Sequence, residues 1–314
     1  MTKTLVPFVG AGVSCIAGCP DWSGLADSVL KQLQGTALLT PAQIDQISRQ
    51  PPRTKLSIAR SLAAASRKPI DFENILHPGG WERAVLSSEG RRVYGALSAL
   101  ADTFVTTNYD RWLDQRFPLT PTASGLPSGL GSGNVVSGEA RTIFDQPDQF
   151  GEDNLNTANC VFHLHGSMQT PDSLVLTTAD YLHRYHNDRN EAESAVLTFL
   201  ANLFRLKRVL FVGYSLGDLE ILEYVVAKTG GSRNDMPDHF ILQGYFSHEL
   251  DLMKLMTAYY AELGLRLIPY SRDENDWNQL VSVLEHLVRE LPRPQSTEGA
   301  ETLRNITEMG ALLG

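Results

Sequence analysis

Six short apolar runs, at 5–9, 103–106, 160–164, 208–212, 239–242 and 266–268, alternate with stretches whose apolar residues recur every three or four positions. Runs of that length read as buried strands, and the three-to-four spacing reads as helix. The predicted helices fall at 22–33, 108–115, 178–186 and 190–206, then from Leu216, from Ser247 and over 274–291. Strands that alternate with helices predict an α/β fold, a Rossmann-like doubly wound parallel sheet. From Pro41 to about Leu100 the pattern is helical throughout, in LSIARSLAAAS, FENILH and RRVYGALSALA. That stretch predicts a helical module inserted at about 36–101 into a domain covering 1–292.

Two segments break the pattern. Residues 120–158 are rich in Gly, Ser, Pro and Asn and are long for a loop inside a compact domain, so they predict a cover or an irregular excursion near a site. Residues 294–300 read as a polar linker, and 303–313 begin another apolar pattern. The segment 293–314 is therefore expected to be an oligomerisation arm or the start of a further domain.

Charge and composition narrow the function classes. A formal net charge of −9 argues against broad nucleic-acid binding and leaves room only for a local basic patch such as Arg83, Arg91 and Arg92. The first residues run too quickly into glycine to make a signal peptide, and no apolar run approaches a membrane span. The three cysteines, Cys15, Cys19 and Cys160, are odd in number and too few for a four-thiolate zinc site. The expectation is a cytoplasmic protein with reduced thiols and no metal.

Four motifs stand where strands should end. Gly10-Ala11-Gly12 followed by Ser14 fits a backbone that approaches a pyrophosphate, although a tight strand-to-helix turn would explain the glycines alone. Asn108 and Asp110 flank Tyr109 and could be catalytic groups or plain helix caps. In His163-Leu164-His165-Gly166 the two histidines share one side of a strand end, and Gly166 would let a ligand reach His165, leaving His163 a packing or hydrogen-bonding role. Gly213-Tyr214-Ser215-Leu216-Gly217 satisfies a nucleophile-elbow pattern, with Asp238 or Asp273 and then His286 able to complete a triad. That serine α/β-hydrolase alternative leaves GAGVS and TTNYD unexplained, and it puts its histidine in a helix whose pattern suits a solvated position.

Taken together and in this order, the motifs resemble the sirtuin superfamily over residues 5 to about 290. The likeness is to the bacterial antiphage-defence NADase branch rather than to the protein deacylases. GAGVS with Gly18, Pro20 and Asp21 is similar to the family's glycine loop, Asn108 and Asp110 to its Asn-x-Asp element, His165-Gly166 to its catalytic histidine motif, and Gly213 with Ser215 to its late Gly-x-Ser loop. The chain departs from the deacylases in having no cysteine after Cys160, hence no zinc ribbon, and Trp22 where they carry Phe-Arg.

The resemblance implies an NAD hydrolase that releases nicotinamide and ADP-ribose, with NAD as substrate. By it, Asn108 orients the ribose and water, His165 takes the proton, and Asp110 holds the ribose or Asn108. Gly10, Ala11, Gly12, Ser14 and Asp21 would serve the pyrophosphate side, and Gly213, Ser215 and Tyr270 the adenosine half. It further implies a regulated effector of abortive infection, a homo-oligomer, and a sensing or NTPase partner or fused domain. The alternative within the same site is a sensor that binds NAD or ADP-ribose without cleaving it.

Overall fold

The computed structural model describes residues 4–35, 39–119, 139–185, 194–214 and 239–291. A seven-stranded sheet runs through the molecule in the order β5-β6-β2-β1-β7-β8-β9. Its strands are β1 (Leu5–Val9), β2 (Thr103–Thr106), β5 (Thr142–Phe144), β6 (Cys160–His163), β7 (Arg208–Val212), β8 (His239–Tyr245) and β9 (Leu265–Ser271). Every pairing is parallel, as the alternation of strand and helix predicts. The chain builds outward from β1 to β2 and β6 on one side, then to β7, β8 and β9 on the other. Between β1 and β7 the strand order reverses, which is where open α/β sheets form a crevice at their carboxyl ends.

Both faces of the sheet are covered, which explains the unbroken apolar runs. Along β7, Val209 and Phe211 face one core while Leu210 and Val212 face the other. One layer holds α1 (Ala11–Ile16), α6 (Ser88–Leu100) and α10 (Gln279–Glu290), whose Val13, Leu97 and Leu284 meet Phe104, Val161 and Phe240. The opposite layer holds α8 (Ala195–Leu206) and α9 (Leu250–Glu262), with Phe199 and Phe204 packed against Phe162 and Phe211. Arg92 of α6 makes a bidentate pair with Glu285 of α10, at 2.8 and 2.7 Å.

A third core belongs to the helical module, α2 (Trp22–Gly35), α3 (Pro41–Ser48), α4 (Pro52–Ser66) and α5 (Phe72–Leu76). Leu25, Val29, Leu33, Leu56 and Ala59 pack there with Tyr109, Met168 and Leu176, so the module rests on the loops beyond β2 and β6. Its own core thus stops short of α6, which packs with the strands; the predicted insertion about 36–101 had included it. Thr40 and Gln43 form a capping box at α3, and Asp71 caps α5.

Other expectations changed locally. The helix predicted at 108–115 is only a 3-10 turn at Trp112–Asp114, because Asp110 accepts the Trp112 N–H and Asp114 is drawn into a buried pair with His163. The chain then forms β3 (Gln115–Arg116), antiparallel to β4 (Glu139–Ala140). Within 120–158 the part from 139 onward is packed, not open: β5 edges the sheet and Phe150 and Leu155 enter the core. Residues 120–138, the helix expected from Leu216 and the segment 293–314 lie outside the described residues. Among the described residues no helix is long and apolar enough to cross a membrane.

Leu97 sits wholly buried between α6 and the sheet. Leu97→Ala should cost about 2–5 kcal/mol and lower the urea midpoint of the whole sheet domain; an unchanged midpoint would remove α6 from the core.

Candidate active site

The loops after β1 and β7 touch. Gly10 N–H donates to the Val212 carbonyl at 2.9 Å and Gly12 N–H to the Gly213 carbonyl at 2.8 Å. A Cβ on Gly10 would lie 2.6 Å from the Gly213 oxygen, and one on Gly213, whose φ is +61°, would lie 2.6 Å from the Val13 nitrogen. The glycines of both motifs are thus required by the approach of one backbone to the other. Gly10 and Gly12, expected to face a pyrophosphate, have both their N–H groups bonded within the protein.

Next to this contact, three polar side chains lock together. Asn108 Nδ2 donates to the Gly10 carbonyl at 2.9 Å and to Ser14 Oγ at 2.8 Å, and Ser14 Oγ in turn donates to Asp110 Oδ2 at 2.5 Å. A backbone carbonyl only accepts, so the amide nitrogen must face Gly10. Asp110 also accepts from the Trp112 N–H at 3.1 Å and from the Tyr94 hydroxyl at 3.4 Å. Asp110 therefore orients Ser14, and Ser14 helps orient Asn108. Burial pushes the Tyr94 phenol upward, with the Asp110 charge adding to it, so Tyr94 stays a donor.

The two histidines have different surroundings. His163 is fully buried, with Nδ1 3.0 Å from the Asn108 carbonyl and Nε2 2.8 Å from Asp114 Oδ1. Facing a carbonyl and a carboxylate, both nitrogens must carry protons. Burial, the largest single influence, would lower its pKa, and the Asp114 carboxylate, the Asn108 carbonyl and the Asp110 charge together more than offset it, leaving the net direction upward. His163 thereby holds the backbone of the Asn108 turn, in keeping with the hydrogen-bonding role expected of it.

His165 lies 2% exposed, with Nε2 2.7 Å from the Tyr185 hydroxyl and Nδ1 3.5 Å from that of Tyr181. Both tyrosines lie on α7 (Thr178–Tyr185). Burial first, and then the Arg184 and Arg53 cations, push its pKa down to about 3. It is a neutral imidazole. Gly166 has a φ of +80°, and a Cβ there would collide with the Ser173 backbone, so chain packing is what demands this glycine.

These groups line one cleft at the carboxyl ends of β1, β2, β6 and β7. Ala11, Ser14, Asp21, Asn108, Asp110 and His165 all contribute to it, and its volume is ≈ 160 Å³. Asp21 also accepts the Gly24 N–H at 2.6 Å near the start of α2. Tyr270 sits on the edge strand β9, three strands from β1, and is not among the lining residues. Ser215 and Asp238 lie outside the described residues. The other triad partners are placed elsewhere: His286 is exposed on α10, and Asp273 is held by Ser247 and Ser271.

Sequence reasoning missed Arg53, Trp22, Tyr109, Tyr181 and Tyr214, which also line the cleft. Arg53 stands near the start of α4 with its guanidinium 3.7 Å from the centre of the Tyr181 ring. Nothing in PPRTK marks it, whereas Tyr181 and Tyr185, four apart on a helix just after HLHG, were a legible pair. Among the described residues no group of three or more His, Cys, Asp and Glu side chains is placed to hold a metal ion.

A family model described as SIR2-like domain matches residues 102–268, more than half of the chain. The chain belongs to the SIR2-like domain family. No curated protein matches it. The match takes in Asn108, Asp110, His163, His165 and Gly213, while the glycine loop and the helical module lie before it. An α/β domain with a cleft at the β1–β7 reversal suits the NAD-related function of SIR2-like domains.

The two histidines give this domain opposite pH dependences. The raised pKa of His163 contributes stability that is present below about 6.5 and lost as pH climbs through the raised value. His165 contributes in the other sense: below about 6.5 the unfolded chain takes a proton that the native imidazole refuses down to about 3, so stability falls with pH, by on the order of 5 kcal/mol in all. Denaturation curves between pH 4.5 and 9 should show His165→Gln losing part of the acid decline and Asp114→Asn losing part of the alkaline one. Parallel curves for wild type and both variants would refute these assignments.

Proposed function

We propose that this SIR2-like domain hydrolyses NAD to nicotinamide and ADP-ribose. The observation that carries the reading is the convergence of a neutral, buried His165 and a rigidly held Asn108 on one cleft. Set among apolar and aromatic walls such as Trp22, Leu25 and Tyr109, the cleft carries charge of both signs: Asp21 and Asp110 supply carboxylates and Arg53 a cation. NAD is polar in the same way, with a cationic nicotinamide ring and an anionic diphosphate. The ring is read toward the carboxylates and the diphosphate toward Arg53, with the ribose beside Asn108 and His165.

In the reaction the bond between the nicotinamide nitrogen and the ribose anomeric carbon breaks, its electron pair leaving with nicotinamide. The sugar then resembles an oxocarbenium ion. The Asp110 carboxylate and the Asn108 carbonyl oxygen stabilise that charge, because both N–H groups of the amide are turned to Gly10 and Ser14. Water attacks the anomeric carbon and gives its proton to His165. A weak base suffices here, since the acceptor carbon is already cationic. Binding and aligning the ribose is the larger part of the work.

A non-hydrolytic NAD or ADP-ribose sensor remains the second reading, favoured by one observation. Tyr185 occupies Nε2 of His165, and the ring is almost closed off. For the wider setting we propose a regulated, NAD-depleting effector of bacterial antiphage defence, held in check by self-association or by a sensing or NTPase partner. A constitutive NAD hydrolase would poison its host, and a closed His165 suits an enzyme that awaits activation.

His165→Ala and Asn108→Ala should each lower nicotinamide release by the folded protein at least a hundredfold when NAD consumption is followed by chromatography, and Asn108→Ala should also lower the melting temperature because it unpairs the Gly10 carbonyl and Ser14. Full turnover by either folded variant would sink the assignment. The pH profile offers a separate check. With His165 titrating near 3 in the free protein, kcat/KM for NAD should stay level from pH 7 down to about 5. An acid limb at 6.5 would mean an ordinary, solvated imidazole.

A further inference from the structure

We propose that Arg53, supplied by the helical module, holds a phosphate of the substrate and makes the cleft select nicotinamide nucleotides over the bare nucleoside. The inference rests on the NAD reading above and assigns the group that grips the diphosphate.

The glycine loop has few donors to give. The Gly10, Gly12 and Val13 N–H groups donate to Val212, Gly213 and Gly10 carbonyls, and the Ser14 hydroxyl donates to Asp110. The carboxylates Asp21 and Asp110 repel a phosphate from that end of the cleft. Of the described residues that line the cleft, Arg53 is the one with a fixed positive charge. A guanidinium seated on the Tyr181 ring has its plane fixed, and a planar guanidinium can match two N–H groups to two phosphate oxygens.

Its placement is built, not incidental. Arg60 of α4 pairs with Asp180 of α7 at 2.5 Å, and the Thr178 N–H donates to Ser57 Oγ at 3.2 Å. Those contacts dock α4 on α7, the helix that carries both tyrosines facing His165. Arg53 is also one of the two cations that lower the basicity of His165. A bound phosphate would offset that charge, so the substrate that Arg53 selects is the one that makes His165 a better base.

The test uses the full chain with Arg53→Met, which keeps bulk over Tyr181, and Arg53→Lys, which keeps charge. For Arg53→Met the KM for NAD should rise roughly ten- to hundredfold, as expected when a charged hydrogen-bonding group is removed. Its kcat/KM for nicotinamide riboside should fall by less than about threefold, with Arg53→Lys in between. Equal losses on both substrates, or no loss on NAD, would overturn the proposal. If wild type releases no nicotinamide, hydrolysis fails separately, and calorimetry with ADP-ribose decides Arg53. A ten- to hundredfold weaker affinity in Arg53→Met would support the assignment. Equal affinity, or no binding by wild type, would end it.

Discussion

The site depends on one buried amide. Asn108 reaches from the end of β2 to the Gly10 carbonyl at the end of β1 and to Ser14 in the helix beyond it. Two neighbouring strand ends are thereby joined through a side chain as well as through the sheet. Each group in the chain of contacts is satisfied by the next, from Tyr94 and Trp112 to Asp110, then Ser14, Asn108 and Gly10. A partly satisfied network would be worse than an apolar one, because a buried polar group without a partner costs about 1–3 kcal/mol. Completeness is what lets so polar a cluster sit in the floor of a cleft and stay rigid.

Two charge states follow from the same packing. His163 is held as a cation because both its nitrogens face acceptors, and His165 is held neutral because it is buried beside arginines. Two residues apart in sequence, they divide the work: one fixes the turn that carries Asn108, the other is placed to take a proton. The helical module enters this arrangement from outside the family-matched segment, through Arg53 on Tyr181 and Arg60 on Asp180. Its helices form a wall of the cleft while sharing a core with Tyr109, Met168 and Leu176.

Much of this was legible in the chain because it obeys short-range rules. The apolar runs gave each long strand of the sheet, and the motif order placed Asn108, Asp110 and His165 together at strand ends. What escaped detection was set by contacts distant in sequence. The helix expected after Asn108 failed because Asp110 and Asp114 bond inward, and the three-residue edge strand β5 is too short to show a period. The glycines were found but their reason was not: the partner of Gly10 and Gly12 is Gly213, some two hundred residues away. Arg53 reaches the cleft only through the docking of α4 on α7, which no local pattern announces.

The most direct measurement is to incubate the protein with NAD and to quantify nicotinamide and the ribosyl product together. The account predicts nicotinamide and free ADP-ribose in equal amounts. Nicotinamide released with the ADP-ribosyl group cyclised or passed to another acceptor, or NAD left intact through repeated incubation, would contradict it.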